Sequence, residues 1–311
     1  MTNPVLGRFQ LPCRPVSCEP YGSGHINRTF RVVCENGQPF ILQKVNTTVF
    51  HDPDALMENI RLVTEHLMER LHDTRRVLSI VPAADGGMLV HDNDDCWRMF
   101  VFVGDSVCFD AADTPERFGE SAVGFATFFN EMADFDATQL VETIPHFHDT
   151  PARIEALHEA VRKDACGRVK TVLREIEDAA RTETFAHTFA DLQAAGQLPL
   201  RVTHNDTKIN NVLFDAKTGR SLCVLDLDTV MPGLIMNDFG DAIRFGASTA
   251  AEDERALDRV WLDLNLYEVY VKRYLAICGG ALTRLERTLL PAGAKMMTFE
   301  VGSTSPATTR A

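Results

Sequence analysis

The apolar pattern of the chain changes its period near residue 103, and this change constrains the fold more than any other feature. Before it the sequence is β-like. Phe30-Arg-Val-Val-Cys34 and Phe40-Ile-Leu-Gln-Lys-Val45 are strand-length runs around the turn signal Asn36-Gly37, which predicts a hairpin. From Asp52-Pro53 onward, Leu56, Ile60, Val63, Leu67 and Leu71 recur at steps of four and three, one face of an amphipathic helix expected to pack on the sheet. Trp97-Arg-Met-Phe-Val-Phe-Val103 is a further apolar run, closed by Gly104-Asp105-Ser106. Beyond it helical spacing dominates, over 115–134, 151–182 and 252–276, the last with Leu257, Val260, Trp261, Leu264, Tyr267, Val271 and Tyr274 on one stripe. Between them 200–246 reads as non-helical. The expectation is an α+β chain with a small antiparallel-sheet lobe and one packed helix over 1–103, a larger, mainly helical lobe over 104–302, and a disordered polar tail over 303–311.

Composition narrows the partners. A chain of 311 residues with 45% hydrophobic content can bury a full core. Its 31 Lys and Arg against 44 Asp and Glu leave a net charge of −13, which repels phosphate backbones and anionic membranes, so neither nucleic acid nor a membrane is expected as a partner. No apolar run approaches the roughly 20 residues of a bilayer span. Eight scattered cysteines without a C-x2-C pair, and no secretory apolar segment near the start, read as reduced thiols of a cytoplasmic protein. Oligomeric state leaves no signal in the sequence.

The chemistry is concentrated in Thr203-His-Asn-Asp-Thr-Lys-Ile-Asn-Asn-Val-Leu-Phe-Asp215 and Ser221-Leu-Cys-Val-Leu-Asp-Leu-Asp228. Two short apolar runs around Lys217-Thr-Gly-Arg220 predict a second hairpin. Its register sets Asn211 beside about 224–226, so Asn211 and Asp226 fall at the open end, with Asp206 a few residues upstream. An amide oxygen and a carboxylate with few other ligands suit Mg2+, a hard cation that keeps waters and takes further oxygens from a polyphosphate. A second carboxylate with a Lys two residues on fits phosphoryl transfer. In that arrangement Asp206 takes a proton from an attacking hydroxyl and Lys208 offsets charge on the transferred group. The order His-x-Asp-x-Lys-x-x-Asn, a strand pair, then Asp is the kinase-type catalytic loop with its metal-binding Asp.

A phosphate cradle is offered by Tyr21-Gly-Ser-Gly-His-Ile-Asn-Arg-Thr-Phe30, whose Gly22, Ser23, Gly24, His25 and Asn27 form a turn with free backbone N–H groups for ATP. It matches neither G-x-G-x-x-G nor G-x4-G-K-[ST]. On the following strand Gln43 or Lys44 occupies the place of a phosphate-directed side chain, with Glu58 on the next helix available to orient it. His204 reads as a buried prop of the loop. His146-Phe-His-Asp149 has metal-like residue types, but its two His would alternate across a strand and lack a third partner, so a structural or acceptor-lining role is expected.

The stretch His204–Asn211, with Leu225-Asp-Leu-Asp-Thr-Val-Met-Pro-Gly233 and Asp238-Phe-Gly-Asp-Ala-Ile-Arg-Phe-Gly246, resembles the aminoglycoside phosphotransferase/choline kinase superfamily. Within it the similarity is to N-acetylhexosamine 1-kinases, which phosphorylate the anomeric hydroxyl of N-acetylglucosamine or N-acetylgalactosamine with ATP and Mg2+. Gly22–Asn27, Leu42–Asn46, Trp97-Arg98 and Glu142–Thr150 extend the resemblance from about residue 18 to about 302. It implies a protein-kinase-like two-lobe fold, Asp206 as base, Asn211 and Asp226 as metal ligands, and Asp228 and Thr229 close to metal or sugar acceptor. In the family a segment like Phe299-Glu-Val-Gly302 continues as Met-Arg-Phe into helices that complete the acceptor pocket. Here Ser303-Thr304 follows, so the resemblance also implies a chain truncated at its C-terminus. Two alternatives come with it: a kinase for another small hydroxyl acceptor, aminoglycoside or choline-like, and an inactive nucleotide-binding fragment.

Overall fold

The computed structural model describes residues 3–22, 24, 26–250 and 254–308, the last five by backbone alone. In chain order its elements are β1 (Pro15–Pro20), β2 (Arg28–Cys34), β3 (Pro39–Val45), α1 (Pro53–Leu71), β4 (Val90–Asp92), β5 (Asp95–Val101), β6 (Ser106–Val107), α2 (Pro115–Glu131), α3 (Thr150–Lys163), α4 (Leu173–Ala186), α5 (Thr188–Ala194), β7 (Arg201–Thr203), β8 (Val212–Asp215), β9 (Ser221–Val224), β10 (Met231–Gly233), α6 (Ile235–Gly246), α7 (Leu264–Cys278) and α8 (Arg284–Thr308). They form two compact units. The first is drawn from Met1–Cys108, Thr138–Ile144 and Val212–Val230, the second from Phe109–Ala137, Pro145–Asn211 and Met231–Ala311.

In the first unit an antiparallel sheet has the order β1-β2-β3-β5-β4. The Asn36-Gly37 turn joins β2 to β3 as the sequence leads one to expect. Gly37 sits at φ 82°, a left-handed conformation that favours glycine, and its N–H donates to the Cys34 carbonyl at 2.8 Å. Val32, Phe40, Leu42, Trp97 and Met99 are buried in one core cluster. Helix α1 begins where the Asp52 carboxylate accepts the Ala55 N–H at 2.9 Å, has a proline in its first turn, and buries Leu56, Met57, Ile60, Val63 and Leu67. Gln43 and Arg98 are register partners on β3 and β5, and the Arg98 guanidinium lies 3.9 Å from the Met57 sulfur of α1. Strands β8 and β9 form the second expected hairpin, with Val212 opposite Val224.

A single cut at 103/104 does not describe this unit, because 138–144 and 212–230 belong to it. Asn59 of α1 supplies the physical reason. Its buried amide donates to the carbonyls of Val141 (2.8 Å) and Val230 (3.0 Å) and accepts the Val141 N–H (3.0 Å), tying both segments to the helix.

The second unit is mainly helical. α2 packs on α7, and α8 packs on both α6 and α3, around Phe118, Phe129, Met236, Phe239, Tyr270 and Tyr274. Each such aromatic or Met side chain contributes roughly 1.5–3 kcal/mol by leaving water. α6 and α8 cross at Gly240 and Gly293, where a Cβ on either residue would overlap the backbone of the other helix.

Four departures from the sequence pattern have local causes. The helix expected over 151–182 is broken, because α3 ends on Asp164 at φ 38° and Gly167 follows at φ 65°. Of the stripe expected over 252–276 only α7 is α-helical. Asp263 caps it, so Leu257, Val260 and Trp261 lie outside the helix and are exposed. The stretch 200–246 ends in α6, where Ile235, Met236, Phe239, Ala242 and Ile243 follow the helical period; the helix is only twelve residues long and follows β10 at once, and its polar residues Asn237, Asp238 and Asp241 are buried as well. The tail expected from 303 onward is helical backbone as far as Thr308, and 309–311 lie outside the described residues.

Candidate active site

In the second unit the loop after β7 alternates between burial and exposure. His204, Asn205, Thr207, Ile209 and Asn211 are buried, while Asp206, Lys208 and Asn210 are partly open. Helix α6 holds it from beneath. The Asp238 carboxylate accepts the backbone N–H groups of His204 (2.8 Å) and Asn205 (2.7 Å), and its carbonyl accepts the Thr207 hydroxyl (2.6 Å). Asp241 accepts the Thr207 N–H at 3.1 Å and pairs with Arg244 at 2.8 Å. Burial pushes the Asp238 carboxyl up, opposed by the two backbone amide bonds it accepts and by the charge of His148. These contacts hold Asn205 in the left-handed region, φ 64°, immediately before Asp206. His204 is fully buried edge-on to Phe125 and Phe128, the prop expected of it.

Asp206, Lys208 and Asn211 come together on this frame. The Asn211 amide nitrogen donates to the Asp206 carbonyl (2.8 Å) and carboxylate (2.9 Å), and Lys208 Nζ lies 3.5 Å from the other carboxylate oxygen. The Lys208 ammonium also lies 5.5 Å from the centre of the Phe245 ring, within cation–π range.

In the first unit Asp226 follows β9 in the left-handed conformation, φ 54°, and opens a tight turn over Leu227–Thr229. Asp228 in that turn is engaged within its own unit. It is buried, paired with Arg98 of β5 at 2.6 Å, and accepts the Asn27 amide at 2.6 Å, while its carbonyl accepts the Thr143 hydroxyl at 2.7 Å. Thr229 beside it is buried. Arg98 also donates to Gln43 at 3.0 Å, Gln43 donates to Thr29 at 3.1 Å, and Asn27 accepts the Asn46 N–H at 3.0 Å. One network thus joins the end of the glycine turn, three sheet strands and the turn that carries Asp226.

The network gives Gln43 and Lys44 different partners and removes the orienting role expected of Glu58. Gln43 shares the α1 side of the sheet with Arg98, whereas Lys44 pairs with Asp95 at 2.5 Å. Glu58 does not orient Lys44, since it binds Arg61 of its own helix at 2.6 Å and is held below its ordinary value by that bond. Gly22 has φ 78° and an open surround, as has Gly24, and the Tyr21 N–H donates to the Thr29 carbonyl at 3.0 Å across the turn. Ser23 and His25 lie outside the described residues. Sequence reading missed the role of Arg98, although its signal was present: one cation in the otherwise apolar run 96–103. It also missed the role of Asp238, which lies on the polar side of α6, a side that an ordinary helix would turn to solvent and that is buried here.

His146-Phe-His-Asp149 is a turn rather than a strand, ending where Asp149 caps α3. Among the described residues no three His, Cys, Asp or Glu side chains cluster as a metal site. Each of the two expected metal ligands carries an oxygen of the kind a hard cation takes: Asn211 an amide oxygen, its amide nitrogen being spent on Asp206, and Asp226 a carboxylate.

An antiparallel sheet with one packed helix, a mainly helical unit, and the His-x-Asp-x-Lys-x-x-Asn loop braced by a buried aspartate define a kinase-like α+β phosphotransferase, an enzyme that carries a phosphoryl group to a hydroxyl acceptor. The chain belongs to the phosphotransferase enzyme family (APH), whose model matches residues 17–270. Solved structures share the fold at low identity. A microcompartment-associated aminopropanol kinase is 16% identical with a TM-score of 0.61 over 99% of this chain and 89% of its own. An amicoumacin kinase in complex with AMP-PNP, Ca2+ and Ami is 12% identical with a TM-score of 0.62 over 94% and 81%. A spectinomycin phosphotransferase in complex with ADP and its antibiotic is 11% identical with a TM-score of 0.53 over 97% and 89%. No helix among the described residues is long and apolar enough to cross a membrane.

Proposed function

We propose that this phosphotransferase is an ATP- and Mg2+-dependent kinase of the cytoplasm that phosphorylates the anomeric hydroxyl of N-acetylhexosamines, giving the sugar 1-phosphate. The observation that carries the chemistry is the Asp206–Asn211–Lys208 cluster on a loop fixed by Asp238. The sugar is supported by the resemblance of Leu225–Gly233 to the sugar-kinase branch. Asp206, partly open and oriented by Asn211, accepts the proton of the acceptor hydroxyl. Asn211 and Asp226 hold Mg2+, which when bound neutralises charge on the nucleotide phosphates. Lys208 offsets charge on the phosphoryl group as it moves. The glycine turn at Gly22 and Gly24 cradles phosphates through its amides, and Asn27 anchors the end of that turn.

A second acceptor class is favoured by the neighbours themselves, because an aminopropanol kinase and an antibiotic phosphotransferase share this fold. An acceptor panel separates the readings. ADP release is followed with Mg·ATP and N-acetylglucosamine, N-acetylgalactosamine, aminopropanol, choline or spectinomycin. Turnover confined to the N-acetylhexosamines supports the proposal, and turnover confined to amino alcohols or aminocyclitols replaces it. Asp226→Asn and Asn211→Ala are expected to abolish metal-dependent turnover while the melting temperature moves little. Equal loss of both would make these residues structural.

A further inference from the structure

Two segments far apart in sequence, the His146–Asp149 turn and Phe299–Gly302 of α8, meet within the second unit. His148 Nδ1 lies 2.9 Å from Glu300 Oε1, and His148 Nε2 lies 3.4 Å from the carbonyl oxygen of Asn205. A carbonyl has no hydrogen to give. Nor does the Glu300 carboxylate, since it also accepts the Thr150 hydroxyl at 2.6 Å and has Arg153 Nε at 3.4 Å. Both imidazole nitrogens therefore have to donate, which only the charged ring can do.

The carbonyl that His148 holds belongs to the peptide unit joining Asn205 to Asp206. The other end of that unit, the Asp206 N–H, donates to His204 Nδ1 at 3.3 Å. One peptide plane is thus gripped at both ends by two histidines of opposite role, a charged donor and a neutral acceptor. It follows the left-handed Asn205 and leads directly into Asp206. Any rotation of this plane swings the Asp206 side chain.

We propose that His148, as an imidazolium braced by Glu300, is a positioning residue for phosphoryl transfer: with His204 it fixes the 205–206 peptide plane and so aims Asp206. The inference rests on the reading of Asp206 as the base. The charged and titratable groups around the ring are Glu300 on α8, Arg153 on α3, Asp238 and Asp241 on α6, and His204 on the loop itself. Burial alone would lower the His148 pKa, but the bond and charge of Glu300, with Asp241 and Asp238 behind it, outweigh burial and raise it. Above that raised pKa the ring has one proton for two acceptors and the grip opens.

The test compares wild type with His148→Gln, whose amide cannot donate to both acceptors in this geometry and does not titrate, and with Glu300→Gln. The expected result is a kcat lowered by up to about a hundredfold, with KM for ATP and acceptor within twofold of wild type. The alkaline fall of kcat expected of wild type should be absent in His148→Gln. A readout independent of turnover is the 15N shift of the His148 ring in histidine-labelled protein, which should report a doubly protonated ring at pH 7. A neutral ring at pH 7 overturns the proposal, as does a His148→Gln enzyme with wild-type kcat and an unchanged alkaline limb. If no acceptor is turned over by wild type, the functional reading has failed, and the ring shift still decides the clamp.

Discussion

Removing the Arg98 guanidinium tests whether the first unit is built around one buried ion pair. Arg98 and Asp228 are 1% and 2% exposed and 2.6 Å apart, and Asp228 keeps only neutral donors when Arg98 is gone. Breaking a buried pair from one side leaves an uncompensated charge and costs about 3–5 kcal/mol. At roughly 2 °C per kcal/mol for a chain of this size, Arg98→Met should melt about 6–10 °C lower. Asp228→Leu should cost a similar amount, because the stranded cation is then left with neutral neighbours, Gln43, the Met57 sulfur and the Phe100 ring. The double variant should recover most of the loss, since two apolar side chains of similar size replace the pair without stranding a charge. The chain has two tryptophans, so in a Trp261→Phe background Trp97, next to Arg98 on β5, reports the unfolding of this unit alone in urea. Single-variant costs below about 1 kcal/mol, the range of exposed pairs, or costs that simply add in the double variant, would refute the reasoning.

Other outcomes follow from particular contacts. Gly293→Ala puts a methyl into the Met236 carbonyl, where backbone cannot give way, and should destabilise by about 1–3 kcal/mol in urea titration; a neutral effect would mean that α6 and α8 do not touch there. Thiol labelling of the native protein should be fast at the exposed Cys108 and Cys166. It should be blocked until unfolding at Cys223 and Cys278, whose thiols burial pushes up to about 12. The His148–Glu300 pair should shape stability against pH. The stabilisation from His148, whose folded pKa lies above its ordinary 6.5, is complete below 6.5 and fades as pH rises through the raised value. Glu300 is pushed up by burial, but its bonds to His148 and Thr150 bring it below its ordinary 4.5, so its stabilisation is complete above 4.5 and fades as pH falls through the lowered value. The urea midpoint of wild type relative to His148→Gln should therefore be highest between about 4.5 and 6.5, and a difference independent of pH would contradict the charged pair.

Much of the fold was legible because local chemistry agreed with tertiary need. The Asn36-Gly37 hairpin, the capped helix from Pro53 and the hairpin from Val212 to Val224 each carry their own turn or cap signal. Helix α6 was passed over although Ile235, Met236, Phe239, Ala242 and Ile243 keep the helical period, because the element is short and follows strand-like runs; what the pattern could not show is that its polar face, with Asp238 and Asp241, is buried against the loop those two carboxylates hold. The cluster of Asp206, Lys208 and Asn211 could be read from spacing, since the three lie within six residues of one another. Its supports could not. Asp228 pairs with an arginine 130 positions earlier, and Glu300 with a histidine 152 positions earlier, separations at which sequence spacing carries no geometric information. Asp228 stands two residues from Asp226, and spacing gave no sign that it is buried and paired.

The most direct test of the functional account is phosphorus NMR on the purified chain with Mg·ATP and N-acetylglucosamine or N-acetylgalactosamine, with Asp206→Asn run beside it. A sugar 1-phosphate resonance that grows as ATP is consumed, and is absent with the folded variant, is the predicted result. A folded wild type that binds Mg·ATP but produces no such resonance, or an Asp206→Asn variant that produces it at the wild-type rate, would contradict the account.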